Sequence, residues 1–203
     1  MIDRAVGAVA QRLSEHLRLR FGVVDDLAIA TTLVDIDGKP VPAARNQLAV
    51  FVTNITHDTM PRNGGRRPVS PSGTQSAGRA PVEAAPVNLN VYLMLASNFD
   101  PQNYLESLKI LSSAIQFFQT YPVLDHANTP EMDPGIRQLT FDIHNLDTET
   151  LSQLWGSLGG RYAPSIQYKM RTVVIDPGAL TDEALVISRP QVAVRPDAAD
   201  AVE

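Results

Sequence analysis

Val87, Leu89, Val91, Leu93 and Leu95 alternate strictly with Asn88, Asn90, Tyr92 and Met94. A period of two places the first set on one face of a strand and the second set on the other. No other segment is patterned this strongly, so this strand is expected at the centre of a sheet, and the rest of the chain must supply its neighbours and its cover. A helix is predicted directly after it. Asp100-Pro101 offers an N-cap followed by an N1 proline. Tyr104, Leu105, Leu108, Leu111, Ile115 and Phe118 then form a helical stripe that stops before Tyr121-Pro122.

The N-terminal segment carries the same signal at helical spacing. Ile2, Val6, Val9, Leu13 and Leu17 lie on one face, while Asp3, Arg4, Arg12, Glu15 and Arg18 lie off it. Asp3 also suits the positive end of the helix dipole, so a helix is predicted from Ile2 to about Arg20. Two strands should follow. Leu27, Ile29, Thr31 and Leu33 alternate with small residues before an Asp37-Gly38 turn, and Leu48, Val50 and Val52 alternate against Ala49, Phe51 and Thr53. Strands this close in sequence are expected to pair antiparallel. Further on, a polar connector runs from Asp125 to Gly135, and Leu139, Phe141 and Ile143 alternate as another strand. Asp147 should cap a short helix carrying Leu151, Leu154, Trp155 and Leu158, stopped by Gly159-Gly160. Ser165 to Ile175 reads as the last long strand. The order of elements gives an α+β class, a mainly antiparallel sheet of about five strands with helices packed on it. Leu89, Val91, Leu93, Leu108, Ile115, Phe141 and Trp155 should be buried, with a partner expected for the indole N–H.

Residues 62–86 read RNGGRRPVSPSGTQSAGRAPVEAAP. Large apolar side chains are almost missing, and Arg62, Arg66, Arg67 and Arg79 face a single acid, Glu83. A loop this long within a compact domain is usually functional or disordered. Neither flank alone has the apolar residues for a good core, so the segment is expected as an excursion from one domain spanning 1–188. The Ala/Asp/Pro-rich residues 189–203 should form a mobile tail, since Pro190 and Pro196 disfavour strand pairing.

Composition removes several function classes. The 203 residues include no cysteine, which excludes disulfides, thiolate metal sites and a cysteine nucleophile. The net charge of −5 lowers the prior for nucleic-acid binding. No aromatic residue lies between Arg62 and Arg79 to stack on a base. No apolar run approaches the ~20 residues that span a bilayer. Asp3 and Arg4 lead straight into the amphipathic pattern, so no signal peptide is expected and synthesis is expected in the cytoplasm.

Catalytic signals are weak throughout. His16, His57, His126 and His144 show no i, i+4 pair. His57-Asp58 and Asp125-His126 are neighbours in sequence, which does not make a dyad. Asn63 to Arg67 is glycine-rich and basic but lacks the frame of a phosphate loop. Ser157 lacks the nucleophile-elbow frame. Glu131 and Asp133 read as solvated charge in a connector, and the Asn54-Ile55-Thr56 sequon reads as chance. No catalytic residue, cofactor site or metal site is assigned, and a binding or structural protein is favoured over an enzyme.

Several segments together carry a resemblance. They are IDRAVGAVAQRLSEHL, LAVFVTNITHDTMPRN, PVNLNVYLMLASNF, QNYLESLKILSSAIQFFQTYPVL and LWGSLGGRYAPSIQYKMRTVVID, in that order. The most specific stretch is Leu154 to Arg171. Over roughly residues 1–176 the chain resembles the cap, or tail-terminator, proteins of bacterial contractile injection systems, which are phage-tail-like particles. The resemblance implies a tail-terminator-like fold and a structural role. The cap would end the polymerisation of inner tube and sheath, with the protein itself as a six-fold ring and tube and sheath subunits as partners. It implies no cofactor, nucleic acid or membrane insertion, and assembly in a particle that ends up released or membrane-attached. Arg62, Arg66, Arg67 and Arg79 are the candidate partner interface. An adaptor at the baseplate or membrane end is the alternative within the same apparatus, and a small soluble enzyme is the alternative outside it.

Overall fold

The computed structural model describes residues 2–58, 79–83, 89–159, 162–173 and 180–185, with backbone alone for 79–83, 172–173 and 180–185. By compactness the chain divides into Met1–Pro61 with Pro86–Asp176, and Arg62–Ala85 with Pro177–Glu203. The elements in chain order are α1 (Ile2–Phe21), β1 (Ala28–Ala30), β2 (Gln47–His57), β3 (Arg79–Glu83), β4 (Leu89–Asn98), α2 (Tyr104–Thr120), β5 (Val123–Asp125), β6 (Gln138–Ile143), α3 (Thr148–Ser157), β7 (Ser165–Val173) and β8 (Leu180–Leu185).

The first unit is a six-stranded sheet in the order β1-β2-β4-β7-β6-β5. β4 lies inside it, antiparallel to β2 and to β7, as its alternation predicts. α1 and α2 cover one face. Ala5, Val9, Leu13 and Leu17 from α1, and Leu111, Ala114, Phe117 and Phe118 from α2, pack over Leu48, Val50, Val91, Leu93, Leu95, Leu139, Phe141 and Met170. On the other face Trp155 of α3 sits over Ala49, Phe51, Met94 and Ala96. Cover on both faces explains why Leu48 to Phe51 and Leu93 to Ala96 are apolar without a break.

α1 stops where glycine permits it. Gly22 takes φ 66°, and its N–H donates to the Arg18 carbonyl at 2.9 Å, a left-handed helix end. Asp147 caps α3 as expected, accepting the Thr150 N–H at 2.7 Å. Gly159 follows that helix at φ 94°.

Several expectations need correction. β1 pairs with β2 in parallel, not antiparallel. The chain between them runs out and back through a small hairpin, with Val34 bridging Pro40 and Gly38 at φ 75°. A 3-10 turn at Pro42–Ala44 then returns it to the end where β1 began. The helix after β4 does not start at Pro101. A 3-10 turn occupies Pro101–Asn103, and the Asp100 carboxylate makes no cap. It accepts from Arg45 at 3.1 and 3.3 Å and from Asn46 at 3.0 Å, which holds its pKa below the usual carboxylate value, Arg45 first.

The buried line of α2 is Ser107, Ile110, Leu111, Ser113, Ala114, Phe117 and Phe118, rotated from the expected stripe. Tyr104 and Leu105 are exposed, and Leu108, Ile115 and Leu89 are half-buried. Small residues cause the offset. Ser107 donates to the Tyr104 carbonyl and accepts through its own carbonyl from Ser97 Oγ, which brings the helix close to the sheet. A stripe drawn through large side chains misses such a line. β5 hides in the polar connector for a similar reason, being three residues with one buried side chain, Leu124.

The connector is tied down. Asp133 accepts from Arg4 at 2.9 Å, and Glu131 accepts from Gln11, so both acids fix it to α1 and are not merely solvated. His16 on α1 packs against Phe117 of α2, 5.2 Å between ring centroids. Burial, and then Arg20 and Arg12, lower its pKa. Burial pushes the Tyr168 phenol up to about 12. Trp155 is 4% exposed, and its indole N–H finds no acceptor among the described residues, contrary to expectation. Its ring meets Tyr162 edge-on at 5.7 Å. Trp155→Ala should therefore cost about 3–5 kcal/mol, read as a lower midpoint in urea unfolding. A loss under about 1 kcal/mol would mean that α3 contributes little to holding the second face of the sheet.

Candidate docking surface

Of the four arginines singled out from the sequence, Arg62, Arg66 and Arg67 lie outside the described residues. Arg79 opens β3, paired with Leu185, and its side chain is outside the described set. The excursion is thus not loop throughout. β3 and β8 form an antiparallel two-stranded ribbon with a register shift at Val82/Glu83. Neither strand announces itself in the sequence. RAPVE contains a proline, and LTDEAL has two adjacent acids and no alternation. Their pairing joins residues about a hundred positions apart, which no local pattern encodes. The tail, 189–203, lies outside the described residues.

The first unit has two distinct ends. At one end β2 begins beside the last residue of β4, Gln47 opposite Asn98, and β7 begins opposite Ala96. α1 finishes here before the chain enters β1, and α2 starts here after β4. This end bears Leu19 at 84% exposure, Val24 at 83%, Leu105 at 71% and Tyr162 at 67%, with Val23 and Tyr104 also exposed. Singly exposed apolar residues are ordinary, but six from three connected regions at one end form a candidate contact surface. At the opposite end of the sheet lie the last residue of β2, His57, the first of β4, Leu89, and the last of β7, Val173.

A groove of about 470 Å³ opens at the apolar end, lined by Leu33, Pro40, Phe99, Tyr104, Leu158 and Tyr162 among others. Among the described residues its walls hold no carboxylate, imidazole or amine. A second cleft, about 250 Å³, lies between α1 and the connector. Its charged groups already have partners: Arg12 bonds the Asn128 carbonyl and Glu15, and Glu131 accepts from Gln11. The one hydroxyl side chain among the described residues of that cleft, Thr129, donates to Asn128 Oδ1 and not to Glu15 or Glu131.

The histidines scatter. His57 ends β2. Asp125 accepts from the N–H groups of Ala127 and Asn128 and so shapes a turn around His126. His144 contacts Gln167 at 2.7 Å. The Gln167 amide nitrogen donates to Thr53 Oγ1 at 2.7 Å, which leaves Gln167 Oε1 to accept from His144 Nδ1. Thr53 Oγ1 in turn donates to the Tyr92 carbonyl at 3.2 Å. This chain of bonds braces the sheet beyond α3. Among the described residues no group of three His, Asp or Glu side chains is placed to hold a metal ion. No described helix is long and apolar enough to cross a membrane.

The fold is shared with the sheath/tube terminator of an extracellular contractile injection system, PVC, in its extended state. That structure matches 96% of this chain and 64% of its own length at 18% identity, with a TM-score of 0.55. The anti-feeding prophage cap, the AFP tube-terminating cap, also matches 96% of this chain and 60% of its own, at 15% identity and a TM-score of 0.49. The chain spans less than two thirds of either. No curated protein matches. The sequence itself matches the Pvc16 N-terminal domain over residues 7–189, nearly its whole length. The chain belongs to the Pvc16 N-terminal domain family.

Proposed function

We propose that this protein caps the end of a contractile injection particle, where it stops the growth of tube and sheath. The observation that carries the reading is one of extent. Family membership covers residues 7–189, and the fold held in common with a sheath/tube terminator covers 96% of the chain. The role belongs to the body of the molecule and not to a local motif.

The physics of such an end suits this architecture. A stack of rings has a heterologous interface at every level and would add rings without limit. A terminator matches the last ring on one surface and presents nothing that another ring can use. That calls for a rigid body with distinct surfaces and for no chemical step. The sheet supplies the body, with its middle strands covered on both faces. In this reading the cap is a six-fold ring, assembled in the cytoplasm. Its contact surfaces are the apolar end around Leu19, Val24 and Leu105, and the basic excursion with Arg62, Arg66, Arg67 and Arg79.

The test is to image particle ends. A ring of this protein with six-fold symmetry is expected there, and symmetry other than three- or six-fold would overturn the ring. Two sets of variants divide the contact surface. Arg62, Arg66, Arg67 and Arg79 all changed to Ala should weaken attachment in a salt-dependent way while the isolated chain stays folded. Each exposed pair is worth about 0–1 kcal/mol, so the effect is collective. Leu19→Glu with Leu105→Glu should abolish attachment with little dependence on salt. Unaltered attachment at low and high salt in either set would remove that surface from the contact.

A further inference from the structure

The edge of the sheet along β2 is half open. β1 is three residues long and pairs only with Leu48, Ala49 and Val50. β2 runs on for seven more residues to His57, and among the described residues no strand lies beside them on that side. Val52 and Ile55 are exposed there, at 37% and 45%. An exposed edge of branched residues is a template for another strand, most directly from a second copy of the same chain.

The register says which backbone groups face outward. Leu48 N–H donates to the Leu27 carbonyl, and the Val50 carbonyl accepts from Thr31, so residues 48 and 50 turn their backbone groups toward β1. On β4, the Asn98 carbonyl accepts from Asn46, and Ser97 N–H donates to Pro164, so even-numbered residues turn toward β2. A β-bulge at Thr53 shifts the phase, after which Asn54 and Thr56 oppose Tyr92 and Asn90. Ile55, opposite Val91, therefore turns its N–H and carbonyl to the open side.

That outward N–H is already occupied. Asn54 Oδ1 accepts it at 2.8 Å. The bulge beside it is held by Thr53 Oγ1, which bonds both the Tyr92 carbonyl and Gln167. We infer that Asn54, together with the braced bulge at Thr53, blunts the open half of β2 against strand addition by a second copy of the chain, because it engages the outward donor that lies between those of Val52 and His57. A bulge and an engaged donor are the means by which natural sheets blunt an edge. The device holds whether or not the protein is a cap, and for a cap it removes one route of unwanted growth.

The test uses the full chain in isolation, compared with wild type at matched concentrations. Asn54→Val removes the acceptor and favours the strand. It should give larger species in sedimentation that grow with concentration, beyond any association of the wild type, while circular dichroism shows the same fold. Asn54→Val with Ile55→Pro removes the outward N–H at a position where an edge strand tolerates proline, and should restore the wild-type distribution. Simple surface hydrophobicity would not be reversed by that second change. Asn54→Ala provides a readout independent of association: the Ile55 amide should exchange with solvent about tenfold faster. The inference is overturned if Asn54→Val sediments as wild type, if its association persists with Ile55→Pro, or if the Ile55 amide exchanges unchanged in Asn54→Ala.

Discussion

Burial of β2 and β4 on both faces is the constraint on which the rest of the structure depends. Leu48, Val50, Val91, Leu93 and Leu95 point into the layer under α1 and α2, and Ala49, Phe51, Met94 and Ala96 point toward α3. Two strands with two apolar faces cannot sit at the surface. They need helices on either side and further strands along their edges, which is what the remaining elements provide. α3 covers the second face only in part. Beyond it that face changes from apolar to polar, with Thr53, Gln167 and His144 joined by hydrogen bonds. On that face the hydrophobic core therefore has a defined edge, past which polar side chains continue.

The elements with strong periodicity are legible in the sequence. α1, β6 and α3 with its Asp147 cap stand where the alternation and spacing place them, as do β4 and β7 over their described residues; Val87, Asn88, Val174 and Ile175 lie outside those. The errors share a physical cause: local pattern does not report long-range geometry. Nothing in Leu27–Thr53 specifies that the connecting segment doubles back and makes β1 parallel. The line of Ser107 and Ala114 that seats α2 is invisible to a search for large apolar residues. Asp100 followed by proline is a good cap signal, but Arg45 and Asn46, more than fifty residues earlier, compete for its carboxylate and win. β3 and β8 have poor strand sequences and depend on each other.

The candidate contact surface is less legible than the fold. Sequence reasoning picks out arginines because charge clusters stand out in a string of letters. The apolar end appears only after folding, when Leu19 from the last turn of α1, Val24 just beyond it, Leu105 from the start of α2 and Tyr162 before β7 come to one end of the sheet. Helical spacing assigns Leu105 to the core stripe, and the rotation of α2 is what turns it outward. The blunting of the β2 edge is likewise a matter of register, since Asn54 matters only because the bulge at Thr53 turns Ile55 toward the open side.

A terminator acts on geometry and not on chemistry. Its contribution is the difference between binding the last ring and offering no site for the next. Losing it should therefore change the length or integrity of particles while leaving their subunits intact. The most direct measurement is the particle length distribution, by electron microscopy, in cells lacking this protein. The account predicts tubes or sheaths of uncontrolled length, or sheaths that do not stay on their tubes. A normal, narrow distribution of intact particles would contradict termination and would favour the adaptor alternative.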